Sequence, residues 1–242
     1  MRFHRLYSAL HCAIGSGEWS IMYHRNAQLS GRFVQRARPQ SLGVYARFGK
    51  RFFDIGLALA LLVPASAAMF GIAIGLRLCQ GGPIFYVSER MASPERAFRL
   101  IKFRTMAPAA DAGCATGGDK AERVTPIGHY LRKSRLDELP QLWNILRGDM
   151  TFVGPRPPLR RYVERHPEIY DKVLLSRPGL TGMATLKFGQ RERLILAHCR
   201  SPVETDRLYS RHCVPAKARL DLLYQRTQSA RLDIYLLWQT IR

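Results

Sequence analysis

Acidic residues are scarce in this chain. Eighteen Asp and Glu stand against 38 Lys and Arg among 242 residues, a formal net charge of +20. An excess of that size argues for an anionic partner: nucleic acid, an acidic membrane surface or phosphorylated substrates. Cysteine is sparse as well. Cys12, Cys79, Cys114, Cys199 and Cys213 are odd in number and scattered in spacing, which fits no disulfide framework and points to a reducing compartment. There is no internal repeat. Only one long uncharged run occurs, so a multi-span transporter is excluded. With 47% hydrophobic and 23% charged residues the chain is neither disordered nor collagen-like. Its length allows one medium domain or two small ones.

Residues 1–46 read as a basic, partly disordered leader, with Glu18 as the single acid. Its short apolar stretch from Leu6 to Ile14 is interrupted by His11, and a cleaved signal peptide is not expected. The uncharged run follows at residues 55–76 and reaches the length of a membrane helix, roughly 20 residues. Pro64 lies in its interior, where a proline removes a backbone hydrogen bond and bends or breaks a helix. Ser66 stands ready to rebond a freed carbonyl. Both flanks are basic, with Arg47, Lys50 and Arg51 before and Arg77 after, and positive charge prefers the cytoplasmic side. A helix–break–helix over about 51–78, entering and leaving by one leaflet, satisfies both facts. A kinked core helix is the alternative.

Residues 81–106 read as a β-hairpin, with strands at 83–87 and 97–104 and a turn at Ser93-Pro94-Glu95. Alternation places Lys102 and Arg104 on one face. Residues 107–122 are Ala/Gly/Asp-rich and read as a mobile loop. Thr125 as N-cap and Pro126 at the first helical position open a helix to about Ser134. Leu136, Leu139, Trp143 and Leu146 form an apolar stripe. Pro140 is tolerated only in a first turn, so the second helix is expected to begin near Leu136–Asp137. Residues 147–160 and 177–182 read as Gly/Pro turns, and 160–175, 203–228 and 230–241 as helical.

The candidate chemistry centres on Asp137 and Glu138 at that helix start, among Arg132, Lys133, Arg135 and Arg147. A carboxylate held ionised by arginines can act as nucleophile or metal ligand. Two acids with phosphate oxygens suit Mg2+. Arg156 in Gly154-Pro155-Arg156-Pro157 and Arg177 in Arg177-Pro178-Gly179 each present a guanidinium fork on a stiff backbone, suited to phosphate. The plainer alternative is that Asp137 and Glu138 are solvated capping residues. His198-Cys199 and His212-Cys213 lack paired Cys-x-x-Cys spacing and read as ordinary helix residues rather than a zinc site. The terminal segment 230–241 is apolar over much of its surface and reads either as a core helix or as one lying in the bilayer interface.

Several motifs occur in one order: Lys50-Arg51-Phe52-Phe53-Asp54, the uncharged run, Gly82-Pro83-Ile84-Phe85, Lys102-Phe103-Arg104-Thr105-Met106, Leu136-Asp137-Glu138-Leu139-Pro140-Gln141, Gly148-Asp149-Met150, Phe152-Val153-Gly154-Pro155-Arg156-Pro157 and Arg177-Pro178-Gly179-Leu180-Thr181-Gly182. In this the chain resembles the bacterial sugar transferase family, the monotopic polyprenyl-phosphate phosphoglycosyltransferases, over about residues 47–242. The resemblance implies a mixed α/β, mainly helical fold, with a re-entrant membrane hairpin, a small β-hairpin, interfacial helices and a catalytic part at about 81–242. It implies transfer of a sugar-1-phosphate from a UDP-sugar to undecaprenyl phosphate at the cytoplasmic face of the bacterial inner membrane, as the first step of an exopolysaccharide, capsule or O-antigen unit. In that reaction Asp137 attacks the β-phosphate, a phosphosugar–aspartyl intermediate forms and UMP leaves. Glu138 helps hold Mg2+ with Asp137, and Asp221 assists with metal or proton handling. Lys102, Arg104, Arg132, Arg156, Arg177 and Tyr224 bind substrate.

Three places depart from the family's pattern. Ala67 follows Ser66 where the family has Ser-Pro. Ser88 and Ala92 stand where the family usually has a Gln and a Gly around its Arg, here Arg90. Residues 183–191 replace the usual run after Gly182, which leaves the sugar open. No nucleic acid is expected as a partner, and homo-oligomer formation is left open. Two other classes stand as alternatives: an inactive scaffold of a polysaccharide pathway and a membrane-tethered nucleic-acid-binding protein. The second lacks aromatic-basic interleaving, a zinc module and a helix-turn-helix pattern.

Overall fold

The structure, a computed structural model, describes Tyr45 and residues 49–107, 123–199 and 201–242. Apart from Tyr45 the basic leader lies outside the described residues, as does the expected loop beyond Ala107. The fold is mainly helical, with two small two-stranded sheets. In chain order the elements are α1 (Lys50–Gln80), β1 (Phe85–Met91), β2 (Ala97–Phe103), α2 (Pro126–Lys133), a 3-10 turn (Leu136–Glu138), α3 (Gln141–Arg147), β3 (Thr151–Val153), α4 (Arg160–Arg165), α5 (Pro167–Val173), β4 (Gly179–Thr181), α6 (Met183–Leu196), α7 (Pro202–Leu208), one π-helical turn (Tyr209–Cys213), α8 (Val214–Thr227) and α9 (Ala230–Ile241).

Helix α1 is continuous through Pro64. The break expected there does not interrupt it. Pro64 removes one N–H, and the helix is held to the rest of the protein on both sides of it, at Ala58 and Ala65. The Ser66 hydroxyl donates to Val63 O at 2.7 Å, and not to the Ala60 carbonyl that Pro64 leaves free. At 31 residues α1 is about 46 Å long. Among the described residues it is the one helix long and apolar enough to cross a membrane, with a mean hydropathy of 2.3 in its most apolar window. One stripe, Lys50, Asp54, Ala58, Ala65 and Leu76, is buried against the protein. The opposite side leaves Phe52, Val63, Phe70 and Leu78 exposed.

Both ends of α1 are tied down. At its start Arg51 donates to the carbonyls of Ile145 (2.6 Å) and Leu146 (2.7 Å) in the last turn of α3, where the helix dipole favours a cation. The Lys50 ammonium, the Tyr45 hydroxyl and the Tyr224 hydroxyl all donate to buried Asp233. Asp54 accepts from Thr151 Oγ1 and Phe152 N. At its far end Arg104 donates to the carbonyls of Gln80 (2.7 Å) and Gly82 (2.8 Å).

The hairpin forms as expected. Strands β1 and β2 pair antiparallel with Tyr86 opposite Lys102 and Phe85 opposite Phe103. Thr125 caps α2 as expected, accepting from Gly128 N at 3.1 Å. The next helix differs from expectation. Leu136–Glu138 is a 3-10 turn, and α3 starts only at Gln141 with Pro140 as its N-cap. Three residues per turn shift the phase of the apolar stripe. Leu136, Leu139 and Leu146 still reach the core, Leu142 and Ile145 carry the buried face, and Trp143 is exposed. Asn144 fixes α3 against the hairpin: its Oδ1 accepts from Ile101 N and its Nδ2 donates to Arg99 O at 2.8 Å.

Two segments read as turns contain a parallel pair, β3 with β4, joining Thr151 to Gly179 and Val153 to Thr181. Three-residue strands buried on both faces carry no alternation to read. Their glycines permit close backbone approach: a Cβ on Gly179 would collide with the Gly154 backbone, and Gly154 N donates to Thr181 O at 2.8 Å. The interlocked turns hold the Pro155-Arg156-Pro157 segment in place. Helix α6 is also new. Expectation and structure agree on helices within 160–175, 203–228 and 230–241.

Candidate active site

The chain leaves α2 through Arg135, whose φ of 57° lies in the left-handed region. That bend stops the helix and turns the backbone into the 3-10 turn. It brings Asp137 inward, where it is buried, with Glu138 next to it. Arg132, one turn back on α2, donates from Nε to Thr105 Oγ1 at 2.8 Å. Lys102 comes from β2, half-buried, with its ammonium 5.6 Å from the Tyr86 ring centroid. Arg156 reaches over from the Gly-Pro turn and donates from Nη2 to Glu138 Oε1 at 3.1 Å. Five of the expected site residues therefore meet: Lys102, Arg132, Asp137, Glu138 and Arg156.

The electrostatics follow from burial and like charge. Burial first, and then the neighbouring Glu138, push the Asp137 carboxyl above the ordinary range, while Lys102, Arg132 and Arg156 pull it back. Lys102 is pushed down to about 8, chiefly by burial, with Arg156, Arg132 and Arg90 adding repulsion and Asp137 opposing it. The group is a carboxylate pair inside a ring of cations, short of negative charge. A phosphate anion would relieve the repulsion among the cations.

Beside it opens a cavity of about 120 Å³. Lys102 and Arg156 belong to both the cavity wall and the carboxylate group, and Arg90 joins them at the cavity. Asp221 lines the cavity, 8% exposed, with no hydrogen-bond partner on Oδ1. Burial raises it to about 7, against the pull of Lys217.

Three expected site residues stand elsewhere. The Arg104 guanidinium is used on the carbonyls at the end of α1. Tyr224 is buried in the core, its single hydroxyl proton lying between Asp233 Oδ1 (2.6 Å) and Val153 O (3.0 Å), and its oxygen accepts from Lys50. Arg177 is exposed and has Arg51, Asp54, Arg96 and Asp149 as its charged neighbours. Sequence reasoning missed Glu192, Tyr209 and Lys217 in the cavity wall. They come from α6, the π-helical turn and α8, and no local pattern links them.

Among the described residues no three His, Cys, Asp or Glu stand together as a metal cluster. The donor set still fits Mg2+. Asp137 and Glu138 are adjacent carboxylates, and burial and mutual repulsion disfavour ionised Asp137, a cost a divalent cation offsets. Such an ion would take its remaining oxygens from substrate phosphates and water.

Fold and site together define a basic domain with a buried carboxylate among clustered cations, carried on a long apolar helix. The chain belongs to the bacterial sugar transferase family, whose pattern matches residues 45–242. Among its relatives is the UDP-N-acetylgalactosamine-undecaprenyl-phosphate N-acetylgalactosaminephosphotransferase of Aeromonas hydrophila, 33% identical over 82% of this chain and 44% of the relative. Another is the undecaprenyl-phosphate glucose phosphotransferase of Komagataeibacter xylinus, 31% identical over 86% of this chain and 40% of the relative. The exopolysaccharide production protein ExoY of Sinorhizobium fredii is 38% identical over 60% of this chain and 73% of the relative. The chain thus spans less than half the length of the first two.

Proposed function

We propose that the protein transfers a sugar-1-phosphate from a UDP-sugar to undecaprenyl phosphate, initiating a surface polysaccharide unit. The observation that carries this is Asp137, a buried carboxylate facing Lys102, Arg132 and Arg156 beside a second carboxylate. An oxygen of Asp137 attacks the β-phosphorus of the donor. A phosphorus–oxygen bond to Asp137 forms, the bond between the two phosphates breaks, and UMP leaves with the electron pair. A phosphate oxygen of undecaprenyl phosphate then attacks the same phosphorus. This yields the lipid diphosphate sugar and returns Asp137 as carboxylate. The three cations neutralise charge as nucleophile and diphosphate approach. Asp137 and Glu138 would hold Mg2+, which supplies further neutralisation of phosphate oxygens. Arg156 keeps Glu138 in place while offering its remaining N–H groups to phosphate. Asp221 handles a proton at the edge of the site.

The membrane arrangement belongs to the same reading. A helix crossing the bilayer carries one end roughly 30 Å from the other surface, yet both ends of α1 bond to one domain, through Lys50 and Arg51 and through Arg104. That supports α1 entering one leaflet of the inner membrane from the cytoplasmic side without crossing it. Ile234, Tyr235, Trp238 and Ile241 of α9 are exposed and would lie in the same interface. The test is UMP release by nanodisc-held protein with undecaprenyl phosphate, Mg2+ and a panel of UDP-sugars. Lipid-dependent UMP that Asp137→Asn abolishes supports the reading. No UMP from any donor, or UMP untouched by Asp137→Asn, overturns it.

A further inference from the structure

The cavity beside Asp137 divides into two chemistries. Its side toward the carboxylate pair is cationic: Arg90, Lys102 and Arg156. The side beyond carries two carboxylates, Glu192 and Asp221, with Lys217 between them. Lys217 Nζ donates to Glu192 Oε2 at 3.0 Å and to the Tyr209 hydroxyl at 3.2 Å. A phosphate is attracted to the first side; beyond it Lys217 is already paired with Glu192, and Asp221 adds a carboxyl whose proton burial helps to hold. What enters further must be neutral and rich in hydrogen-bonding groups. Glu192 and Asp221 are acceptors, Lys217 is a donor, and the Tyr209 hydroxyl is both.

A nucleobase fits this wall poorly. Bases are gripped largely by stacking on free aromatic faces. The Tyr209 ring is already covered by the Lys217 ammonium, 5.2 Å from its centroid, and by Tyr162, whose ring centroid is 4.8 Å away. Arg161 and Arg165 stand about the Tyr162 ring in turn. Size agrees. At about 120 Å³ the cavity is well below the roughly 300–1,000 Å³ of sites that take drug-sized ligands, so it suits one ring and not a whole nucleotide sugar. The π-helical turn Tyr209–Cys213 that presents Tyr209 is of a kind frequent at functional sites. Asp221 adds an acceptor atom that nothing in the protein satisfies, and a buried polar atom of that kind calls for a partner.

We propose that this cavity receives the sugar ring of the donor, and that the Glu192–Lys217 pair selects which sugar is accepted. The proposal rests on the donor being a UDP-sugar, as argued above. With the diphosphate held by Lys102 and Arg156 beside Asp137, the ring on the β-phosphate extends into the cavity and its hydroxyls meet Glu192, Lys217 and Asp221. The nucleotide lies on the other side of the diphosphate, outside the cavity. Glu192 follows directly on residues 183–191 in α6, the stretch where this sequence leaves the family's pattern. Sugars differing at one hydroxyl or N-acetyl group would therefore be told apart by residues outside the carboxylate–arginine group.

The test compares UDP-glucose, UDP-galactose, UDP-N-acetylglucosamine and UDP-N-acetylgalactosamine with full-length protein in nanodiscs. Wild type, Glu192→Gln and the double variant Glu192→Gln/Lys217→Met are assayed. The double variant removes both members of the ion pair, and Asp221, which loses the pull of Lys217, is pushed further toward its neutral form. The expected result is a change of about tenfold or more in the ratio of kcat/KM between the best and second donors, with inhibition by UMP unchanged. On wild type alone, inhibition by free sugar 1-phosphates should rank the sugars as the donors rank. Unchanged donor ratios in active variants, UMP inhibition that weakens in step with donor use, or sugar 1-phosphates that inhibit without discrimination would each overturn the assignment. Wild type that uses no donor overturns the transferase reading, and the cavity assignment with it. An active wild type with any of those three results overturns the cavity assignment alone.

Discussion

Lys102 should give the reaction an alkaline limit that arginine removes. Its ammonium is pushed down to about 8 by burial and by Arg156, Arg132 and Arg90, where an ordinary lysine titrates near 10.4. Nine-tenths of the molecules then carry the charge one pH unit below 8 and about one-tenth one unit above. A hydrogen bond to a charged group is worth about 1.5–3 kcal/mol, so losing this cation costs roughly 10- to 150-fold in rate. The profile of kcat/KM, which reports the free enzyme, should fall above pH 8 by about tenfold per unit until that loss is complete. In kcat the limb should move to higher pH, because bound phosphates favour the charged form. On the acid side, activity should rise as Asp137 ionises, at a pH above the usual carboxylate range because burial and Glu138 hold its proton. The assay is UMP release between pH 5 and pH 9.5 or thereabouts, with wild type, Lys102→Arg and Lys102→Met. Lys102→Arg keeps its charge throughout, since arginine titrates above 12, and should lose the alkaline limb. Lys102→Met should be slow at pH 7 and flat through pH 8. An alkaline limb kept by Lys102→Arg would assign it to another group and refute the reasoning.

Arg156→Ala should lower kcat/KM about 10²-fold or more, as loss of a charge-stabilising donor does. Arg177→Ala should cost far less, because its neighbours are Arg51, Arg96 and Asp149 and not Asp137; steady-state UMP release with both variants checks the contrast. Asp233→Asn leaves Lys50 buried without its anion and should destabilise the protein by about 3–5 kcal/mol, read as a lower midpoint in thermal unfolding, with Glu89→Gln as an exposed-pair control of little effect. Chelation with EDTA should stop UMP release, and added Mg2+ should restore it.

Much of the architecture was legible because it rests on local rules. The hairpin showed in its alternation, α2 in its Thr-Pro start, and α1 in its uncharged length. The carboxylate–cation group was legible through ordered motifs, and five of its residues converge. What the sequence hid depends on distance along the chain. Arg104 sits in a motif with Lys102 but bonds carbonyls on the far side of the hairpin, because β2 ends at Phe103 and the chain turns there. Tyr224 satisfies Asp233 and Val153 in the core, which a helical spacing cannot show. Strands β3 and β4 are too short for periodicity, and their Gly-Pro turns read as loops. The cavity wall joins positions 90, 192, 209 and 217, which only the packing of β1, α6, the π-helical turn and α8 around it brings together.

The central claim is that Asp137 carries the sugar phosphate covalently. Protein in nanodiscs free of undecaprenyl phosphate, given the accepted UDP-sugar and Mg2+, should release UMP in a burst of about one per active site. Mass spectrometry should find a sugar-phosphate adduct on the peptide containing Asp137, which added undecaprenyl phosphate then discharges. UMP released only when lipid is present, with no adduct under any quench, would contradict the account and require direct transfer between the two substrates.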